Sequence, residues 1–294
     1  MKIQQLKPYA VNVSEKTNWF FLKIETNDGL AGWGEASLSG GWEENQVLNC
    51  KRLAEMIAGK TVDEALPLLT VFPHAVGGLV WNSILSAAEM ALMDIKAREA
   101  GVPLHRLFGA PLRDRIRVYG NINRAATDRS PAGFAALARD RQAQGYTAFK
   151  LAPFDGVFWA DMNDPEVRKK YRHALDCILA VRDAVGPDID IMVDCHARPS
   201  PAMGLKFGKA LDPYGLYFFE EPCWPECVDG LAKINAALTT PVASGERVTN
   251  LEAFKEMFDK RAVEICQLDL THCGGFTAAR RVAALAEAHR IALA

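Results

Sequence analysis

The pattern of apolar and polar positions along the chain changes near residue 114. In the first part, alternating apolar runs flank Asn27-Asp28-Gly29, a turn sequence that predicts a β-hairpin. Gly101-Val102-Pro103 ends the last helical pattern of this part. The predicted elements are strands at 20–26 and 32–36 and helices at about 43–57 and 81–99. Residues 1–114 are therefore predicted to form an α+β domain.

From about Arg115, short apolar runs alternate with amphipathic helical patterns. Strands are predicted at 117–121, 147–152, 189–193, 216–219, 241–244 and 263–268, with a seventh beginning at 290–294, and helices at 131–145, 164–186, 251–259 and 277–289. This repetition indicates a parallel sheet covered by helices. Six or more such units favour a (β/α)-barrel over a doubly wound sheet, and neither Gly-x-Gly-x-x-Gly nor a P-loop is present. Residues 115–294 are predicted to be about six βα units plus the start of a seventh strand.

Composition narrows the class of function. The 34 Lys and Arg residues nearly balance the 36 Asp and Glu residues, which argues against a nucleic-acid partner and against a polybasic membrane-surface protein. The N-terminus lacks the apolar region of a signal peptide, and the seven cysteines are scattered, as is typical of buried thiols in a cytoplasmic protein. We therefore expect an enzyme that acts on a small molecule.

Four carboxylates follow successive predicted strands: Asp194, Glu220, Glu246 and Asp269, spaced by 26, 26 and 23 residues. The carboxyl ends of barrel strands lie on one rim, so these side chains should converge there. Any single one could cap a helix, but a set in register would repel without a cation between its members. Hard oxygen ligands favour Mg²⁺.

His196 lies two residues after Asp194. Positions i and i+2 of a strand share a face, so its ring is predicted to point at the metal site. A structural role for this histidine is the alternative. Beside a metal, an imidazolium could protonate a departing hydroxyl as the general acid.

The motifs at these positions resemble the enolase superfamily, mandelate-racemase subgroup. They are Val193-Asp-Cys-His196, Phe218-Phe-Glu-Glu-Pro222, Ser244-Gly-Glu246 and Gln267-Leu-Asp-Leu-Thr-His-Cys-Gly-Gly275, with Gly32-Trp-Gly-Glu-Ala36 and Met93-Asp-Ile-Lys96 in the first part. The resemblance implies a capping domain, a barrel and removal of the proton α to a substrate carboxylate, with Mg²⁺ stabilising the enediolate. It also implies that Asp194, Glu220 and Glu246 are the metal ligands.

The second barrel strand bears on the type of reaction. Racemases of this superfamily carry Lys-x-Lys there, whereas this chain has Lys150 followed by Ala152. Alanine cannot take a proton, so two-base racemisation is not expected. The resemblance makes Lys150 a cationic donor to the substrate carboxylate, and a solvated lysine on the rim is the alternative.

Asp194-x-His196 and Leu211-Asp-Pro-Tyr214 are most similar to acid-sugar dehydratases of this superfamily, galactonate dehydratase among them. This resemblance implies loss of the β-hydroxyl after α-proton abstraction, which gives a 2-keto-3-deoxy acid. It also implies a base histidine on the seventh strand, oriented by Asp269. The resemblance implies that this histidine would follow Ala294; His272 and His289 do not occupy its position.

Two other functions stay open at this point. One is an epimerase, racemase or cycloisomerase of hydroxy acids on the same fold. The other is a non-catalytic or truncated relative that binds metal and ligand. The 180 residues from Arg115 hold about six units of roughly 30 residues, where a closed barrel has eight. We therefore expect either a fragment or an incomplete barrel that needs a partner. The family resemblance favours a homo-oligomer.

Overall fold

The computed structural model describes residues 1–14, 17–71, 78–124, 126–161 and 164–294. The chain forms two compact units. The first consists of Met1–Asp114, Gly245–Lys255 and Leu268–Glu287. The second consists of Arg115–Ser244, Glu256–Gln267 and Ala288–Ala294.

An antiparallel three-stranded sheet lies in the first unit. Its strands, in spatial order, are β1 (Ile3–Ser14), β2 (Thr17–Thr26) and β3 (Ala31–Glu35). The predicted hairpin is present: Thr26 N donates to Leu30 O at 2.9 Å, and Gly29 adopts φ 89°. β1 was not predicted, because most of its side chains are exposed and its apolar alternation is weak.

Three helices accompany this sheet: α1 (Glu43–Ile57), α2 (Val62–Val71) and α3 (Gly78–Glu99). α3 is buried along most of its length, which explains its weak amphipathic pattern. A Cβ built on Gly34 would lie 1.9 Å from the backbone oxygen of Ala87. β3 therefore approaches α3 more closely than any side chain at Gly34 would permit.

The second sheet is parallel and has seven strands. They are β4 (Gly120–Asn121), β5 (Ala148–Leu151), β6 (Asp190–Asp194), β7 (Phe218–Glu220), β8 (Val242–Ser244), β9 (Ile265–Cys266) and β10 (Ala292–Leu293). Their spatial order follows the sequence, and β4 and β10 are the edges within the described part of the chain. The sheet core includes Phe149, Ile191 and Phe219.

Helices connect these strands: α4 (Pro131–Ala143), α5 (Pro165–Val185), α6 (Pro201–Leu211), α7 (Val228–Ala237), α8 (Leu251–Asp259) and α9 (Gly275–His289). The predicted start of α4 is present, since Ser130 Oγ accepts from Gly133 N and Pro131 follows the cap. Asp164 caps α5 in the same way.

This arrangement confirms the predicted fold class, an α+β unit with the curled parallel sheet of an incomplete (β/α)-barrel. Several strands are shorter than predicted, and β9 keeps only two residues of the apolar run at 263–268. Six of the seven cysteines are buried, whereas Cys227 is exposed. No helix among the described residues has both the length and the apolar character needed to cross a membrane.

Candidate active site

Asp194 and Glu220 are the last residues of neighbouring strands and are partners in the register of β6 and β7. Both are buried, at 3% and 1% exposure. Cys195 N donates to Glu220 O at 3.0 Å, so the pairing of the two strands extends past their ends. The parallel register thus brings together two carboxylates that are 26 residues apart in sequence, as predicted.

Lys150, on β5, supplies a positive charge to this pair. Its Nζ lies 2.8 Å and 3.0 Å from the two carboxylate oxygens of Glu220 and 3.8 Å from Asp194 Oδ2. Burial opposes the charged ammonium, but the two carboxylates outweigh burial and raise the pKa of Lys150 above its usual range. The ring of Tyr119, with its centroid 5.4 Å from Nζ, is a further neighbour.

The pKa values of the two carboxyl groups are shifted in opposite directions. Burial, followed by the charge of Asp194, raises the pKa of Glu220 to about 7 despite its contacts with Lys150. Burial also disfavours the ionised form of Asp194, but contacts with His196 and Lys150 outweigh it and lower the pKa of that carboxyl. Glu220 therefore keeps its proton to a higher pH than an exposed carboxyl does, because burial and Asp194 oppose its negative charge more strongly than Lys150 favours it.

His196 contacts Asp194 through two atoms. Its backbone N donates to Asp194 Oδ1 at 2.7 Å, and its Nε2 lies 2.9 Å from Asp194 Oδ2. The predicted proximity is present, but its physical reason differs from the one given by strand alternation. β6 ends at Asp194, and His196 has a φ of 50°, so a left-handed turn returns the ring to the carboxylate. The side chain is 38% exposed.

Left-handed backbone is concentrated at these strand ends. His196, Ala197 and Glu221 all have positive φ values between 41° and 55°. Ala197 N donates to Glu221 O at 3.1 Å, so the two turns support each other. Such conformations are costly for residues with a Cβ and tend to accumulate at functional sites.

Sequence reasoning missed the contribution of Gln267. This residue follows β9, and its side chain hydrogen-bonds to Glu220. Its Oε1 is buried without a hydrogen-bond partner in the structure, and so is Ser244 Oγ at the end of β8. The position of Gln267 two residues before Asp269 was the available signal. Two buried carboxylates, one of them hydrogen-bonded to Gln267, fit a hard divalent cation.

Glu246 and Asp269 belong to the first unit. Glu246 follows β8 by two residues, and its Oε1 lies 3.5 Å from Arg247 Nη2. Asp269 Oδ1 accepts from Thr271 N at 2.7 Å. Within the described ranges, no group of three or more His, Cys, Asp and Glu side chains is arranged to hold a metal ion. The assignment of Glu246 as a ligand therefore stays a prediction.

Two other histidines have defined surroundings. His289 Nε2 lies 3.0 Å from Asp259 Oδ1 near the end of α9. His272 lies in the loop between β9 and α9, with Nδ1 2.9 Å from Ser83 Oγ. Each of these histidines contacts a side chain of its own unit.

Comparisons with known proteins cover both parts of the chain. Residues 3–109 match the family "Mandelate racemase / muconate lactonizing enzyme, N-terminal domain", and residues 133–294 match "Enolase C-terminal domain-like". The chain is 32% identical over 297 residues to a D-galactonate dehydratase from Ralstonia nicotianae, with all of this chain and 74% of that protein covered.

Comparison with solved structures also finds similar proteins over the whole chain. A structure from Mesorhizobium loti, described as a candidate dehydratase, superimposes with a TM-score of 0.91 at 30% identity and covers all of this chain and 79% of that one. A 3,6-anhydro-D-galactonate cycloisomerase from Zobellia galactanivorans has a TM-score of 0.85 at 25% identity, with coverage of 100% and 79%. The chain therefore belongs to the mandelate racemase/muconate lactonizing enzyme group of the enolase superfamily.

Proposed function

We propose that this protein is a hydro-lyase that dehydrates a sugar-derived hydroxy acid to a 2-keto-3-deoxy acid with Mg²⁺ as its cofactor. The observation that carries the proposal is the buried pair Asp194 and Glu220, with Lys150 beside both carboxylates. The named dehydratase relative supports the reaction class.

Asp194 and Glu220 are the metal ligands of this proposal, and Glu246 is the third, as the family motif implies. When bound, Mg²⁺ supplies the positive charge that stabilises an anionic substrate and the negative charge that develops on it. Lys150, whose ammonium lies 2.8 Å from Glu220, is the proposed cationic donor to the substrate carboxylate when a cation binds Glu220.

His196 is the proposed general acid. Its Nε2 is engaged with Asp194, so a proton on Nδ1 is the one that the imidazolium gives to the departing β-hydroxyl. After the transfer, the neutral ring keeps its bond to Asp194 through Nε2–H. Asp269 is the proposed orienting carboxylate for the base that removes the α-proton.

The test is a screen of acid sugars with Mg²⁺, with the 2-keto product detected as its semicarbazone. We expect product with the wild-type protein and none with His196→Asn, which should bind Mg²⁺ as tightly as wild type in calorimetry. Dehydration that persists in His196→Asn would show that the acid lies elsewhere.

Cycloisomerisation or epimerisation is the second candidate, favoured by the similarity to the Zobellia cycloisomerase. Exchange of the α-hydrogen with solvent in D₂O, without formation of a keto acid, would select epimerisation over dehydration, and a new product with the mass of the substrate would select cycloisomerisation. Binding of Mg²⁺ and an acid sugar with neither exchange nor product would instead indicate a non-catalytic relative.

A further inference from the structure

Two cysteines lie close together in the loop that follows β7. Cys223 and Cys227 are separated by Trp224-Pro225-Glu226, and Cys227 immediately precedes α7. Cys227 N donates to Trp224 O at 2.9 Å, which folds the loop into a tight turn. The side chains of the two cysteines are hydrogen-bonded to each other. The turn therefore brings two thiols into contact across a segment of five residues.

The two thiols differ in their access to solvent. Cys223 is fully buried, at 0% exposure. Cys227 is exposed, whereas the other six cysteines of the chain are buried. Oxidation of cysteine depends on exposure, so a reagent in solution reaches Cys227 first.

The position of the Cys227 sulfur depends on a glycine in the first turn of α7. A Cβ built on Gly230 would lie 2.7 Å from Cys227 Sγ and 2.8 Å from Pro201 Cγ. The sulfur therefore packs against the space that Gly230 leaves open. Cys227 combines an exposed residue with a sulfur atom whose surroundings are defined.

The hydrogen bond gives the two sulfurs different roles. Burial, followed by the charge of Cys227 and the hydrogen bond with it, raises the pKa of Cys223 to about 12. A hydrogen bond that raises the pKa of a thiol stabilises its protonated form, so the S–H of Cys223 donates and Cys227 Sγ accepts. Only a thiolate is an effective nucleophile toward a disulfide. At neutral pH the attacking sulfur is therefore that of Cys227.

We propose that Cys223 and Cys227 form a reversible modification site, a dithiol that low-molecular-weight disulfides oxidise to an intramolecular disulfide. The Cys227 thiolate attacks a disulfide RSSR, forms a mixed disulfide with one SR group and releases RS⁻, which takes up the proton that Cys227 has lost. The Cys223 sulfur then attacks the Cys227 sulfur, and the second SR group leaves with the proton of Cys223. The protein is oxidised by two electrons, and RSSR is reduced to two RSH.

The geometry suits a bond that forms and breaks. The two sulfurs need only approach from hydrogen-bond distance to the S–S bond length of about 2.0 Å. A loop of five residues gains little closure entropy from a crosslink, and exposed disulfides are the more readily reduced. The loop begins three residues after Glu220, but the dithiol rests on contacts within the loop and does not depend on the proposed function.

The first test treats the whole chain with oxidised glutathione and needs no turnover. We expect the protein to lose two of the seven thiols counted after denaturation and to recover both with dithiothreitol. A protease that cuts after glutamate separates Cys223 from Cys227 at Glu226, so the oxidised sample should give two peptides that stay linked until reduction. An unchanged thiol count, or a link between other cysteines, would overturn the proposal.

The second test separates the roles of the two sulfurs. Cys223→Ala should stop the reaction at the mixed disulfide, with one glutathione left on Cys227, and Cys227→Ser should lose thiols about tenfold more slowly than wild type. The matched control is Cys50→Ala, which removes a buried thiol from α1 and should be oxidised like wild type.

A glutathione adduct that persists in wild type as it does in Cys223→Ala would refute the closing step. Oxidation of Cys227→Ser at the wild-type rate would refute the role of Cys227 as the attacking thiol. The peptide map of the wild-type protein decides the proposal even where Cys223→Ala does not fold.

Discussion

Glu220→Gln should stabilise the metal-free protein above pH 7. Glu220 is 1% exposed, and burial and Asp194 raise its pKa to about 7 from an ordinary value of 4.5. The folded state therefore holds a proton that the unfolded state has already lost between these two values. Stability from this group is fully present below pH 4.5 and is lost as the pH rises through 7.

The magnitude follows from the size of the shift. A difference of about 2.5 pH units corresponds to roughly 3 kcal/mol, at about 1.4 kcal/mol per unit. Glutamine resembles the protonated carboxyl, so the free energy of unfolding of Glu220→Gln should exceed that of wild type by roughly 3 kcal/mol at pH 8 and match it near pH 4.

Urea unfolding with a chelator present, at pH values from 4 to 8, measures this difference. The exposed Glu226, in the loop between β7 and α7, provides the control Glu226→Gln, which should follow wild type throughout. Mg²⁺ at about 100 times its Kd should add about 2.7 kcal/mol to wild type and less to Glu220→Gln. Equal pH profiles of the two proteins in chelator would refute the electrostatic reasoning, and equal gains from Mg²⁺ would refute the ligand role.

Three further changes test other contacts. Lys150→Met removes the ammonium from two buried carboxylates, so the metal-free protein should lose about 3–5 kcal/mol in urea unfolding at pH 8. Gly34→Ala would place a Cβ 1.9 Å from Ala87 O, and we expect a large fall in Tm or failure to fold, whereas an unchanged Tm would contradict the close approach of β3 and α3. Ser130→Ala removes the acceptor for Gly133 N at the start of α4 and should cost about 1 kcal/mol in urea unfolding, with no effect on Mg²⁺ affinity by calorimetry.

Local sequence signals predicted the elements whose stability is largely local. α1 begins and ends at the predicted residues 43 and 57, and α4 begins at the predicted residue 131, where Ser130 caps it. β1 was not predicted because its side chains are mostly exposed and its apolar residues do not alternate regularly. Its strand conformation depends on pairing with β2. α6 and α7 were likewise not predicted: no helix was assigned between the strands at 189–193, 216–219 and 241–244.

In the candidate site, too, local sequence patterns predicted some features and missed others. The rule that strand ends share a rim was sufficient to pair Asp194 with Glu220. The contact of Lys150 with Glu220 spans 70 residues of sequence and depends on side-chain conformation, which no local pattern specifies. The bond of Ser83 to His272 spans 189 residues and was equally inaccessible, although Asp269 itself was predicted.

The expected role of Lys150 is to bind a substrate carboxylate, and its observed contact is with Glu220. Both follow from its positive charge. Two buried carboxylates require positive charge, and in this structure the Lys150 ammonium, 2.8 Å from Glu220, is what supplies it. A divalent cation on the same oxygens carries twice that charge and would supply it instead. Lys150 would then be free to pair with another anion, and a substrate carboxylate is the anion that the proposed reaction brings. Under this reasoning, the same buried carboxylates explain both the contact of Lys150 with Glu220 and its proposed role as a donor to substrate.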